Sequence, residues 1–296
     1  SEGVNAQSLD VIDLGLCSTD MLYFASGHLQ LPGSVFTASH NPSGYNGIKF
    51  CFSEARPVSS DTGIEEMRDE VLSKIATGDG SGSISQLNLL EEFANHVKSF
   101  VDTDKLKPLR VVADTANGMG GLVVPAVFHD LPFQIEIMYQ DLDGTFPNHP
   151  ADPIQPENLV DLQKRVLETN ADIGLAFDGD ADRVFLVDEK AKPVSGSVTT
   201  ALVAKKVLNE EPGATIVHNL ICSQIVPETI TQMGGRAVRT RVGHSYIKKI
   251  MADEQAAFGG EHSGHYYFRD NFRADSGLIA ALIVLEELSC ASKPLS

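Results

Sequence analysis

The sequence lacks tryptophan, has only four cysteines, is poor in aromatic residues (7%) and is short of positive charge. Cys17, Cys51, Cys222 and Cys290 lie far apart with no CxxC spacing, which argues against a zinc site and a disulfide framework. Reduced thiols in a cytoplasm are the expectation. Lys and Arg number 23 against 40 Asp and Glu, a net charge of -17, so the surface repels phosphate backbones and anionic membranes. Neither nucleic acid nor membrane is expected as a partner. A small phosphorylated substrate is still compatible, because it needs only a metal ion or a few cationic side chains at one site. The longest strongly apolar run, Leu278 to Leu285, falls short of the ~18 residues that span a bilayer, and no charged-then-apolar leader opens the chain. The first residue is Ser1 rather than Met, which implies processing or an upstream segment.

What is present describes a folding chain: 296 residues, 42% hydrophobic and 21% charged, enough for about two domains of ~150 residues or three smaller ones. Short β-branched runs recur at 34–36, 109–113, 134–138, 172–177, 184–187, 215–217 and 237–239. Helical periods lie at 64–75, 158–168, 198–208 and 278–288. Strands alternating with helices predict an α/β fold with mostly parallel sheets, whose ligands gather at strand carboxyl ends. Gly78 to Ser83 is too rich in glycine and serine for regular structure and marks a first boundary. A second falls near Lys190 to Ser197, where a strand gives way to charged and Pro-containing residues. The expected units are 1–83, 84–192 and 193–296, and the element order of the last two looks alike.

Three constellations are equipped for chemistry. Thr37 to Lys49 places Asn41-Pro42, Ser43-Gly44 and Asn46-Gly47 after a strand, so Ser39 and His40 occupy a tight exposed loop. Ser39 there is either a nucleophile or phosphorylation site with Lys49 facing its phosphoryl group, or part of a polar capping turn. Asp178-Gly-Asp-Ala-Asp-Arg183 sets three carboxylates at alternate positions between two strands, a pattern that converges oxygens on a hard cation. A calcium EF-hand would place Glu189 at its twelfth position but needs flanking helices, so Mg²⁺ is favoured. A solvated acidic turn and a phosphatase nucleophile stay open. The third pairs the loop Arg239 to Ser245, with Arg241, Gly243 and His244, with Gly259 to His265. In the latter, Glu261 and Ser263 suit sugar hydroxyls, and His244 and His265 titrate near neutrality for proton transfer or serve the structure. Asp275 reads as part of an N-cap that, with Arg269 and Arg273, helps shape the same site. Asp114 to Gly118 reads as a structural strand-to-helix turn, because no P-loop Lys or Ser/Thr follows it.

In this order and spacing, TASHNPSGYNGIKF, DGDADR, RVGHS and GEHSGH resemble the α-D-phosphohexomutase superfamily, most closely its bacterial phosphomannomutase/phosphoglucomutase branch. The resemblance covers nearly the whole chain. It implies mixed α/β domains around a central cleft, with Ser39 carrying the transferable phosphoryl group. Asp178, Asp180 and Asp182 would bind one Mg²⁺ together with Ser39. Glu261 and Ser263 would grip the sugar, Lys49, Arg183, His244 and His265 would handle protons and charge, and His40 and Asn41 would shape the serine loop. The implied reaction moves a phosphoryl group between C1 and C6 of a hexose phosphate, mannose first and glucose second, through a hexose 1,6-bisphosphate that also recharges the serine. His262 points away from the phosphoglucosamine branch, which usually has Gln there. Against the family pattern, the N-terminal part of domain 1 and the C-terminal domain 4 with its phosphate-gripping loop are absent. Ile221 stands where some relatives have a sugar-contacting Lys. An incomplete or weakly active piece is therefore expected, with a phosphoglucosamine mutase, a non-catalytic phosphosugar-binding relative or a Mg²⁺ phosphatase as alternatives.

Overall fold

The computed structural model describes residues 2–73, Gly78 and 80–296. The first unit runs α1 (Glu2–Asn5), β1 (Val11–Asp13), α2 (Thr19–Leu29), β2 (Gly33–Phe36), β3 (Ile48–Phe52), β4 (Arg56–Pro57), α3 (Glu65–Leu72) and β5 (Ile84–Gln86). The second contains α4 (Leu90–Lys98), β6 (Arg110–Asp114), α5 (Gly120–Phe128), β7 (Gln134–Met138), α6 (Val160–Thr169), β8 (Ile173–Phe177), β9 (Val184–Asp188) and β10 (Pro193–Val194). The third contains α7 (Gly196–Glu210), β11 (Thr215–Asn219), α8 (Ile225–Gln232), β12 (Arg236–Thr240), α9 (His244–Asp253), β13 (Phe258–Gly260), β14 (Tyr266–Phe268) and α10 (Gly277–Cys290). Each strand expected from the sequence is present. The helix expected over 64–75 is present as Glu65–Leu72, while its residues 74–75 and Asp79 of the expected linker lie outside the described residues.

The second and third units share a plan. In the second, β6 pairs in parallel with β7 and β8, and antiparallel β9 and β10 extend the edge in the order β10-β9-β8-β6-β7. In the third, β11 lies in parallel between β12 and β13, and β14 adds an antiparallel edge. A turn of only six residues joins β8 to β9, too short for a parallel crossover, so the acidic motif must sit at the tip of an antiparallel pair. The first unit departs from the parallel expectation: β2, β3 and β4 form an antiparallel meander. The reason is again connection length, since loops rather than helices join them. Ile84–Gln86, beyond the expected first boundary, pairs in parallel with Val11–Asp13, and Pro193–Val194 pairs with β9.

One apolar core runs through all three units. It joins Met21 and Phe24 of α2, Phe93 and Val97 of α4, Ile173 and Leu175 of β8, and Phe258 of β13 to α10, whose Leu278, Ile279, Leu282 and Leu285 are buried. Each such side chain contributes roughly 1.5–3 kcal/mol of burial. Ser276 caps α10 by accepting from the Ile279 amide at 3.3 Å, which leaves its hydroxyl proton free to donate to Asp20 Oδ2 of α2 at 2.7 Å. The units also meet at a ring seam. His96 of α4 lies 4.9 Å from the Phe24 ring and 6.2 Å from the Phe272 ring, and its Nε2 is 2.9 Å from Asn271 Oδ1. Gly27 of α2 allows this closeness: a Cβ there would meet Phe272 ring carbons at 2.4 Å.

Two effects compete at that glycine. Alanine gains about 1 kcal/mol of helix propensity, while overpacking a core costs about 1–3 kcal/mol. The contact is too short to absorb without moving the ring, so Gly27→Ala is expected to lower unfolding stability in urea; a rise of about 1 kcal/mol would show that propensity wins and the seam yields.

Candidate active site

Three loops from three units converge. The β2–β3 loop carries Ser39 in the left-handed backbone region (φ 53°), with its amide bonded to Thr37 Oγ1 at 2.8 Å and its hydroxyl donating to Asp178 Oδ2 at 3.1 Å. A non-glycine residue there signals a constrained loop. The constraint is visible beneath it. A Cβ on Gly179 would fall 2.3 Å from the Ser39 carbonyl oxygen, and one on Gly118 would fall 2.6 Å from the Gly179 carbonyl oxygen, so the three backbones stack. This gives the Asp114–Gly118 turn its place: it backs the acidic loop, as the structural reading of that segment expects. His40 is exposed, with Nδ1 3.4 Å from Ser39 Oγ.

Asp178, Asp180 and Asp182 are buried, each offering an oxygen within 4.8 Å of the others. Lys49, at the start of β3, reaches Asp180 Oδ2 at 2.7 Å and Asp182 Oδ2 at 2.8 Å. Burial opposes its charge, yet Asp182 and Asp180 outweigh that and hold its pKa well above the ordinary lysine value. Thr19 and Thr37 hydroxyls donate to the same Asp180 oxygen at 2.7 and 3.1 Å. Arg183 bonds Asp178 through its amide (3.1 Å) and Nε (2.8 Å). Burial still pushes the Asp178 carboxyl up, and burial with the Asp180 charge does the same to Asp182. Asp180 is held low, since Lys49 outweighs its burial.

Among the described residues two cations therefore face three carboxylates, and the shortfall has an address: Asp180 Oδ1 and Asp182 Oδ1 are buried with no hydrogen-bond partner among those residues. Orphaned carboxylate oxygens on converging side chains fit a hard divalent cation with oxygen ligands. Asp178, Asp180, Asp182 and Ser39 are the residues that would hold it.

The third unit supplies the opposite wall. Gly243, with φ 126°, turns the chain into α9, and its amide reaches Glu261 Oε1 at 3.3 Å, which ties the two expected sugar loops together. Glu261 is buried and also accepts from Asn219 Nδ2 (3.0 Å) and the Tyr267 hydroxyl (2.8 Å). Ser263 and His262 are half-buried on the same turn, and His262 Nδ1 lies 2.9 Å from Ser197 Oγ. Arg241 is exposed and lies 3.3 Å over the Tyr246 ring rather than against the carboxylates. His265 Nδ1 sits 2.8 Å from Asp275 Oδ2 and 3.8 Å from Asp182 Oδ1, and its ring packs edge-on to His244 at 4.2 Å. Burial disfavours the charged His265, but Asp182 and Asp275 outweigh it and raise its pKa; burial and the neighbouring His265 push His244 well below the ordinary value. Opposed shifts in adjacent groups are what an acid and a base require.

The structure thus brings Ser39, His40, Lys49, Asp178, Asp180, Asp182, Arg183, His265, Asp275 and His244 into one chain of contacts, with Glu261 and Gly243 on an adjoining loop. Sequence reading missed Thr19, Asp20, Asn219, Lys248 and Tyr267. Lys248 alone left a readable signal, four residues after His244 on a predicted loop-to-helix segment. A cavity of about 320 Å³ beside β11 and β12 is lined by His218, Leu220, Cys222 and Arg239, with none of the three aspartates in its lining.

Cation binding at the acidic loop is testable without turnover. A ligand that binds only the folded state adds about 2.7 kcal/mol at a hundred times its dissociation constant. Mg²⁺ at such excess is expected to raise urea stability by that order in the native chain and to leave the Asp180→Asn, Asp182→Asn double variant unmoved; an equal rise in both places the cation elsewhere.

Three family models match: phosphoglucomutase/phosphomannomutase alpha/beta/alpha domain I over residues 1–76, domain II over 91–192 and domain III over 195–296. Among curated proteins, the phosphohexose mutases of Xanthomonas campestris pv. campestris are 39% identical over 298 residues, covering 100% of this chain and 66% of that protein. A phosphomannomutase of Escherichia coli K12 is 37% identical, covering 100% of this chain and 67% of its own length. Among solved structures, a phosphoglucomutase/phosphomannomutase family protein from Burkholderia thailandensis superposes with a TM-score of 0.91 at 30% identity, covering 99% of this chain and 65% of that one. The chain spans about two thirds of the length of the curated relatives it matches. On its fold, its site and its three consecutive matched domains, the chain belongs to the phosphoglucomutase/phosphomannomutase family.

Proposed function

We propose that this chain carries the phosphoryl-transfer site of a hexose-phosphate mutase that interconverts a 1-phosphate and a 6-phosphate through phosphorylated Ser39. Mannose phosphate is the first substrate, in line with the names of its relatives, and glucose phosphate the second. The observation that carries the reading is the Ser39 hydroxyl on Asp178 beside two unpartnered carboxylate oxygens, with Lys49 and the His244–His265 pair closing the ring.

Phosphoryl transfer asks a protein for alignment and charge neutralisation more than for covalent assistance. A Mg²⁺ ion held by the aspartates would supply positive charge against the phosphoryl oxygens. The stacked glycine backbones fix where Ser39 Oγ points, and Arg183 and Lys49 keep the carboxylates from repelling an incoming phosphate. In the first half-reaction the sugar O6 bonds to phosphorus as the Ser39 Oγ–P bond breaks; the O6 hydroxyl proton passes to a neighbouring base and an acid protonates the departing Ser39 Oγ. In the second, Ser39 Oγ gives up that proton and takes the phosphoryl group from O1, and the departing O1 is protonated in turn. His244, whose pKa burial lowers, is the base, and His265, whose pKa Asp182 and Asp275 raise against its burial, meets Asp275 through Nδ1 and offers Nε2 as the acid. Ser263 meets the sugar hydroxyls from the turn that buried Glu261 braces, and a hexose presents either end to Ser39.

Incubation with glucose 1,6-bisphosphate and Mg²⁺, followed by intact-mass and peptide mass spectrometry, tests the serine. One phosphoryl group on Ser39, absent from Ser39→Ala, is expected. Unchanged phosphorylation of Ser39→Ala, or none in the native chain, contradicts the reading.

A further inference from the structure

Lys248 is a buried cation that the reaction scheme leaves unused. It lies one helical turn after His244 on α9, so both side chains project from one face. Its Nζ is 3.5 Å from Asp275 Oδ1 and 3.7 Å from the centroid of the Tyr23 ring. Its side chain is 3% exposed. A buried ammonium is expensive unless it is paired, and here one carboxylate and one aromatic face are its compensation. Burial accordingly lowers its pKa against the pull of Asp275.

Asp275 is the point where this cation meets the proposed acid and base. Its Oδ2 is 2.8 Å from His265 Nδ1 and 3.5 Å from His244 Nδ1, while its Oδ1 faces Lys248. Without a counter-charge on the Oδ1 side, the carboxylate would be free to turn, and both rings would lose the atom that orients them. Tyr23 adds a second link. It belongs to α2 of the first unit, the helix whose Asp20 accepts from Ser276, the residue next to Asp275. The seating of the first unit on the third thus bears on the same carboxylate from two sides.

We infer that Lys248 is a positioning residue: clamped between Tyr23 and Asp275, it fixes the carboxylate that orients His244 and His265, and so couples docking of the first unit to the proton-transfer pair. This inference rests on the mutase reading above. It differs from a packing role in acting through Asp275, and a double-mutant cycle separates the two.

The test compares Lys248→Met, which keeps length without charge, Asp275→Asn and the double variant, each verified as folded by urea titration. The rate is the single-turnover transfer from phosphorylated Ser39 to mannose 1-phosphate. Lys248→Met is expected to slow it about tenfold or more, as misplacement of reacting groups does, with KM changed less than about twofold. Adding Lys248→Met to Asp275→Asn is expected to slow it no further. Independently of turnover, ¹⁵N-resolved ring signals of His265 and His244 are expected to shift in Lys248→Met and, to a smaller extent, in Tyr23→Leu. Ring signals unmoved in Lys248→Met, or rate losses that add in the double variant, overturn the inference. Shifted ring signals in a chain that transfers no phosphoryl group leave the positioning role standing and defeat the mutase reading alone.

Discussion

Three aspartates cannot share one buried loop unless something answers their charge, and that constraint organises the molecule. Asp178, Asp180 and Asp182 alternate along the short turn between β8 and β9, where the antiparallel strands leave no room to spread them. Arg183 answers one locally. Lys49, Thr19 and Thr37 come from the first unit to answer another, and His265 approaches the third from the third unit. Each unit therefore brings its functional loop to the same point for an electrostatic reason. Among the described residues two carboxylate oxygens remain unanswered there, where a bound cation would meet them.

Packing makes the convergence durable. The core is continuous from α2 through α4 to α10, and the Phe24–His96–Phe272 seam joins elements from all three units. Where backbones must touch, glycine permits it: Gly118, Gly179 and the Ser39 carbonyl form a stack that no side chain could enter. The polar contacts at the same junctions are specific as well as adhesive. Ser276 caps α10 with its oxygen and spends its proton on Asp20, a buried carboxyl that burial pushes up to about 7 despite its hydroxyl partners. The helix start, the domain contact and the His244–His265 pair thus share neighbouring atoms.

Much of this was legible in the sequence. The runs 134–138 and 172–177 are apolar and β-branched enough to name strands, and the four motifs at strand ends lie on the loops that the structure brings together. Strand direction was not legible, because side-chain periodicity is the same in parallel and antiparallel strands; the meander of β2, β3 and β4 follows from connection lengths instead. Ile84–Gln86 is a short exposed strand with no apolar signal, so its pairing with β1 could not be anticipated. Lys248 and Asp20 escaped for a different reason. Asp20 reads locally as an ordinary helix residue and Lys248 shows only its spacing from His244, while the partners that give them meaning, Tyr23 for Lys248 and Ser276 for Asp20, lie more than two hundred residues away along the chain.

Phosphorus NMR of mannose 1-phosphate incubated with this chain, Mg²⁺ and a trace of glucose 1,6-bisphosphate tests the central claim directly. Phosphoryl shuttling through Ser39 predicts mannose 6-phosphate without a matching rise in inorganic phosphate, and none of it with Ser39→Ala. Release of inorganic phosphate with no 6-phosphate would contradict it, because the same aspartates would then be serving hydrolysis.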